Sequence, residues 1–304
     1  MERRGVTQAI RDHPGAPPLP AGRHVELPRR GRMFVREVPG PPGAPALLLL
    51  HGWTATADLN WFTAYSALGR SYRLVAPDLR GHGRGVRSRR PFRMRDATDD
   101  TAALLDTLGS GPVIAVGYSM GGAVAQLLWR RHPQHVRGLV LCATSRTFAA
   151  SPPEKVMFTA LGGLSVAARV TPGIVRRQVA DRMIGSRVTE GSLADWATGE
   201  LRRGDPAAVL DAGRAIGRFD SRRWAGEIDV PTAVVLTLRD NLVAPARQRA
   251  LARTIPGATV HPVEGDHGVC VAEPRLFVPA LLDACRSVAA RAARPHPAAT
   301  DGPR

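Results

Sequence analysis

The sequence predicts an α/β fold, in which a mostly parallel, doubly wound sheet carries an inserted helical cap. Three observations support this. Short apolar runs such as Ala46–Leu50 and Val113–Val116 recur along the chain, as strands buried on both faces do. Longer stretches with apolar residues at helical spacing, such as Met94–Leu108 and Met120–Arg131, lie between them. One segment, 147–222, keeps the helical pattern but contains no buried-strand run.

Residues 1–31 are rich in Pro, Gly and Arg without periodicity and are expected to form a loose arm. Met33–Val38 alternates like an edge strand, and Ala46–Leu50 ends at His51-Gly52 as a buried parallel strand would. Asn60–Leu68 patterns as a helix, and Arg73–Ala76 as a strand closed by Pro77-Asp78. Helix Met94–Leu108, strand Val113–Val116, helix Met120–Arg131 (stopped by Pro133) and strand Leu139–Ala143 follow. After the insertion come strand Thr232–Leu238, helix Ala246–Thr254, strand Thr259–Val263 and a closing helix Pro274–Val288. The core is therefore expected over 32–146 and 223–288, the cap over 147–222, and a disordered tail over 289–304.

A chain of 304 residues suits one such domain and buries roughly three quarters of the surface its unfolded form exposes. Its net charge of +16 is almost all arginine, since Lys155 is the sole lysine. The arginines are spread along the chain without a nucleic-acid-binding motif, so no nucleic-acid partner is expected. A weak attraction to anionic surfaces is the most the charge implies. Seven of them (80, 84, 87, 89, 90, 93 and 95) fall in one loop after a strand end. That loop either steers anions or is simply a solvated charged surface. Cys142, Cys270 and Cys285 are odd in number and scattered, with no CxxC pair and no metal-ligand spacing. They are expected to be reduced core thiols of a cytoplasmic protein, with no metal and no cofactor. No window reaches the roughly 20 apolar residues of a membrane span. Arg3-Arg4 is followed by Gln8, Arg11, Asp12 and His13, not by the apolar stretch an export signal needs.

The chemistry centres on Gly117-Tyr118-Ser119-Met120-Gly121-Gly122. A GxSxG pattern alone occurs by chance in about one chain in ten of this length. Here it has a buried strand before it and an apolar helix after it. A sharp strand-to-helix turn leaves no room for Cβ atoms on either side of the serine, which explains the glycines. The turn would lift the Ser119 hydroxyl above the sheet, at a helix N-terminus that favours developing negative charge. A serine nucleophile needs a base, and His267 follows the last predicted strand. The base must be held in one tautomer by an acid. Asp240, just after the strand Thr232–Leu238, is the candidate, with Asp266 and Asp220 as rivals. An oxyanion needs two donors. These are expected to be the backbone N–H groups of Met120 and Trp53, which leaves the Trp53 side chain free to line the pocket. His51 is expected to be structural.

These residues resemble the α/β-hydrolase superfamily, in particular its cap-bearing esterase, lactonase and cofactor-free haloperoxidase-like members. The resemblance runs from about Arg32 to Val288 and rests on Leu47–Trp53, Ala76–Gly83, Gly117–Gly122, Asp240–Pro245 and Gly265–Pro274, in family order. It implies Ser119 as nucleophile, Asp240 as acid and His267 as base, and it makes Asp78 and His82 structural. The acid loop reads Leu-Arg-Asp where a glycine commonly stands a few residues ahead of the aspartate. The expected function is cleavage of carboxylic esters of small molecules with an apolar acyl or alkyl part. Met157, Phe158, Leu161, Met183 and Trp196 of the cap are expected at the substrate. Carbon–carbon hydrolysis or perhydrolysis on the same triad, and a non-catalytic binding role, stay open at this point.

Overall fold

The structure is a computed structural model that describes residues 15–170 and 192–294. An eight-stranded sheet runs through it in the order β1-β2-β4-β3-β5-β6-β7-β8. The strands are β1 Gly22–Leu27, β2 Gly31–Val38, β3 Ala46–Leu50, β4 Arg73–Pro77, β5 Val113–Tyr118, β6 Val136–Cys142, β7 Thr232–Thr237 and β8 Thr259–Val263. The β1–β2 and β2–β4 pairs are antiparallel, and every other pair is parallel.

Alternate residues of the central strands enter two separate cores. Leu48, Leu50, Ala115, Leu141 and Val234 meet one, and Leu47, Leu49, Ile114, Val140 and Val235 meet the other. The first core is covered by α3 Met94–Leu108, α4 Met120–Arg131 and α8 Pro245–Thr254, which contribute Leu104, Val124 and Leu251. The second is covered by α1 Ala57–Trp61, α2 Tyr65–Gly69, α9 Val269–Ala272 and α10 Pro274–Ala292, which contribute Trp61, Leu68, Val269 and Phe277. This two-sided burial is why the central strands read as continuous apolar runs.

Four expectations need correction. The arm expected over 1–31 contains strand β1, so β2 is not an edge strand. Only Val25 and Leu27 alternate inward there, beside exposed Glu26, a pattern too short to stand out among Pro and Arg. The helix expected over Asn60–Leu68 is two short helices, and at the break Thr63 turns its hydroxyl to the Cys270 carbonyl at 2.8 Å. The last helix continues to Ala292, four residues into the expected tail. Residues 295–304 and 1–14 lie outside the described residues.

Between β6 and β7 lie helices α5 Pro152–Val170, α6 Ser192–Arg202 and α7 Pro206–Arg218. The two ends of this insertion meet: Thr147 and Asp220 pair in an isolated antiparallel bridge, and Ser221 N–H donates to the Arg146 carbonyl at 2.9 Å. Two buried carboxylates join the insertion to the body. Glu200 of α6 accepts from the Thr56 hydroxyl at 2.8 Å and from Arg203 at 2.7 Å, with Arg84 at 3.7 Å. Asp211 of α7 accepts from the Phe92 N–H at 3.2 Å, and also from Ser165 and Arg169 of α5. Among the described residues, no helix is long and apolar enough to cross a membrane.

Candidate active site

The loops after β3, β5, β7 and β8 converge at the C-terminal edge of the parallel strands, where α/β sheets hold their ligands. Ser119 joins β5 to α4 with φ 52° and ψ −114°. A non-glycine residue in such a conformation stores roughly 1–3 kcal/mol of strain. The neighbouring glycines make the turn feasible. A Cβ on Gly117 would stand 2.3 Å from the Gly121 carbonyl oxygen, and one on Gly121 would stand 2.1 Å from that of Leu50. Ser119 N–H donates to the Cys142 carbonyl at 2.9 Å, and the Thr144 hydroxyl donates to the Ser119 carbonyl at 2.8 Å. The backbone is thus held on both sides of the residue.

His267 Nε2 lies 3.0 Å from Ser119 Oγ, and His267 Nδ1 lies 2.7 Å from Asp240 Oδ2. Asp240 is enclosed by donors. Its Oδ1 accepts from the Leu242 and Val243 amides at 2.9 and 2.8 Å, and its Oδ2 from the Thr237 hydroxyl at 2.8 Å. Burial opposes ionisation of this carboxyl. The hydrogen bonds from His267, the Val243 amide and the Thr237 hydroxyl outweigh burial and hold it below the usual carboxylate range.

The loop after β3 flanks the serine, for a Cβ on Gly52 would stand 3.6 Å from Ser119 Cβ. The Gly52 N–H is taken by Asn60 Oδ1 at 2.8 Å. Among the described residues, the N–H groups of Trp53 and Met120 carry no hydrogen bond. They are the two amides expected to serve an oxyanion.

A family model for the alpha/beta hydrolase fold matches residues 45–164. A pimeloyl-[acyl-carrier protein] methyl ester esterase of Neisseria meningitidis serogroup C is 30% identical over 221 residues, covering 72% of this chain and 84% of that protein. The chain belongs to the α/β-hydrolase family. A poly(3-hydroxyalkanoate) depolymerase of Ectopseudomonas oleovorans is 29% identical over 281 residues, covering 91% of this chain and 96% of the relative. The solved structure of a thermophilic esterase from Thermogutta terrifontis superposes with a TM-score of 0.69 at 25% identity, covering 88% of this chain and 98% of that one. This α/β-hydrolase is therefore an enzyme of the hydrolase class, with relatives of the esterase type.

The rivals of Asp240 are engaged elsewhere. Asp266 accepts from the Gly268 N–H at 2.7 Å, and Asp220 pairs with Arg222 at 2.6 Å. The acid loop needs no glycine, since Leu238, Arg239 and Asp240 all keep negative φ, and it is tied to the base loop. Leu238 N–H donates to the Val263 carbonyl and Arg239 N–H to that of Gly265, each at 2.9 Å. His51 is occupied: Nδ1 donates to the Gly52 carbonyl at 2.7 Å, and Nε2 accepts from the Leu79 N–H at 2.9 Å. Burial lowers its pKa to about 4, so it stays neutral. Asp78 caps the turn around it, accepting from the Ala57 and Arg84 amides at 2.8 Å each.

The Trp53 side chain is not free, contrary to expectation. Its indole N–H donates to the Val209 carbonyl of α7 at 2.7 Å, and a Cβ on Gly213 would stand 2.6 Å from the ring and 2.5 Å from Leu161. Leu161 and Phe158 lie on the inner side of α5, with a Cβ on Gly217 reaching 2.3 Å from Phe158. Trp196 is buried, in edge-to-face contact with Phe62 at 5.1 Å. Met157 is half exposed, outside that inner packing, and Met183 lies outside the described residues. In the arginine loop, Arg80 is paired with Asp100 and Arg84 with Asp58, so only part of the loop's charge faces solvent.

Sequence reasoning missed Tyr118, Asn60, Thr144, Thr237 and Gln248. Gln248 is fully buried on α8 and donates to the Thr237 hydroxyl at 2.7 Å. In the sequence it stands in Arg-Gln-Arg and looks like surface. Tyr118 occupies the variable position ahead of the serine, where the pattern carries no signal.

Proposed function

We propose that this α/β-hydrolase cleaves carboxylic esters of small molecules with an apolar acyl or alkyl part, through Ser119, His267 and Asp240. The observation that carries the proposal is the continuous relay from Ser119 Oγ through the His267 ring to Asp240, with steps of 3.0 and 2.7 Å. His267 Nε2 takes the Ser119 proton as Oγ attacks the ester carbonyl. Asp240 accepts from Nδ1–H and stabilises the imidazolium without taking its proton. The carbonyl oxygen becomes an oxyanion facing the Trp53 and Met120 amides, at the N-terminus of α4. Collapse of the tetrahedral intermediate expels the alcohol, which leaves with the proton from His267. A water then gives its proton to His267 and attacks the acyl-enzyme. The acid departs and Ser119 recovers its proton.

The substrate class rests on two supports. The relatives named above act, by their names, on a methyl ester and on a polyester. Leu161 meets Trp53 over Gly213, with Phe158 next along α5 over Gly217, and the acyl or alkyl part would lie beside them. In this reading α5–α7 form a cap, Trp196 anchors it to the body, and Met157 belongs to its outer surface. Buried free thiols at Cys142, Cys270 and Cys285 fit a reducing compartment, which favours a cytoplasmic setting.

A fluorophosphonate probe tests the proposal. It should add one label, located by peptide mass spectrometry on Ser119. Label on another residue, or none, contradicts it. A chain-length series of p-nitrophenyl esters then sets the size of the acyl pocket.

A further inference from the structure

Helix α5 is apolar on the side that faces solvent. From Val156 to Ala167 it has no charged residue, and Val156, Met157, Leu164 and Val166 are 69, 52, 56 and 62% exposed. Its opposite side packs on α7 through Phe158 and Leu161. A surface helix ordinarily turns polar residues outward, and a helix that is apolar all round is ordinarily covered. Beside it lies a surface of one sign. Arg169, near the C-terminal end of α5, donates to the Arg89 carbonyl at 3.1 Å, which fixes the arginine loop against the helix. Arg87, Arg89, Arg90 and Arg93 are exposed, and residues 80–95 include no carboxylate. Among the described residues, the guanidinium groups of Arg89, Arg90 and Arg93 form no ion pair.

We propose that the outer face of α5 and the arginines at 87–93 together dock on an anionic lipid surface. Apolar side chains beside unpaired basic ones are the pattern that holds a helix in the headgroup region of a bilayer, the apolar part below the phosphates and the arginines among them. A second copy of the chain fits less well. In a face-to-face contact between copies, Glu154 is already committed to Arg247 at 2.7 Å and Asp211 to Ser165 and Arg169, so neither is free to pair with the other copy's arginines. Docking here goes beyond ester cleavage itself. It would place the insertion against a source of lipid-like esters.

The test is co-sedimentation of the full chain with vesicles of phosphatidylglycerol or of phosphatidylcholine, at low and high salt. Binding should favour phosphatidylglycerol and weaken with salt. The double variants Val156→Gln with Leu164→Gln, and Arg89→Gln with Arg90→Gln, should each lower the affinity about tenfold or more. Both should keep the wild-type melting temperature and the wild-type rate on soluble p-nitrophenyl acetate. Absence of binding to phosphatidylglycerol, equal binding by the variants, or a dimer in sedimentation that the Val156/Leu164 variant disrupts would overturn the proposal. Because the readout is vesicle binding, its failure leaves the assignment of Ser119 untouched.

Discussion

The hydroxyl of Tyr118 donates to the backbone carbonyl of His267 at 2.8 Å. The residue just ahead of the proposed nucleophile therefore holds the loop of the proposed base. Their rings also meet, with centroids 5.7 Å apart in an edge-to-face arrangement, while the Tyr118 ring packs on Phe277 of α10. Tyr118→Phe keeps the ring contacts and removes one hydrogen bond of about 1 kcal/mol. Its turnover number on a p-nitrophenyl ester should fall roughly threefold to tenfold, with little change in KM. Unchanged turnover would mean that this bond does not position His267.

Asp240 should give stability its own acid limb. Its folded pKa lies below the roughly 3.9 of an unfolded aspartate. As pH falls, the unfolded chain takes up the proton first. The stabilisation is then fully present above about pH 5 and is lost as pH falls through the lowered folded value. Urea unfolding of the wild type and Asp240→Asn between about pH 3 and pH 7 checks this. The gap between them should be constant near neutrality and narrow in acid; a gap that widens in acid contradicts it.

Asn60 should matter through Gly52. Its side chain takes the buried Gly52 N–H at 2.8 Å, beside the loop that carries the Trp53 amide. Asn60→Ala leaves that N–H unpaired, at about 1–3 kcal/mol of stability. Turnover should drop about tenfold while KM changes little, because the loosened loop misplaces a donor used in the transition state. A purely structural role would lower the unfolding midpoint and leave turnover per folded molecule unchanged.

Two glycines should respond in opposite directions to alanine. At Gly121 the new Cβ would meet the Leu50 carbonyl oxygen at 2.1 Å, a backbone atom that no side-chain rotation can move aside, so Gly121→Ala should lose both stability and activity. At Gly163, inside α5, a Cβ meets nothing within 4 Å. Gly163→Ala should raise stability by roughly 0.5–1 kcal/mol, read from urea unfolding.

Much of the fold and of the candidate site is legible in the amino-acid sequence, for physical reasons that can be named. Strand β3 is buried along its whole length, so Ala46–Leu50 is bounded by its own composition. Helices Met94–Leu108 and Met120–Arg131 begin and end where their patterns do. The Ser-Asp-His order is visible because each residue sits in the loop after a strand. Less visible is whatever depends on contacts distant in sequence. Strand β1 acquires its identity only by pairing with β2, and α10 outruns its pattern into an alanine-rich tail. The Trp53 side chain reads as free because its partner, the Val209 carbonyl, lies 156 residues away and is a backbone group that no side-chain pattern marks.

The central claim, that Ser119 is the nucleophile, is tested most directly by the turnover of Ser119→Ala on a p-nitrophenyl ester, measured on protein with the wild-type unfolding midpoint. Turnover should fall by about three orders of magnitude or more, leaving only what binding and the oxyanion donors supply. A Ser119→Ala protein that hydrolyses the ester at the wild-type rate would contradict it.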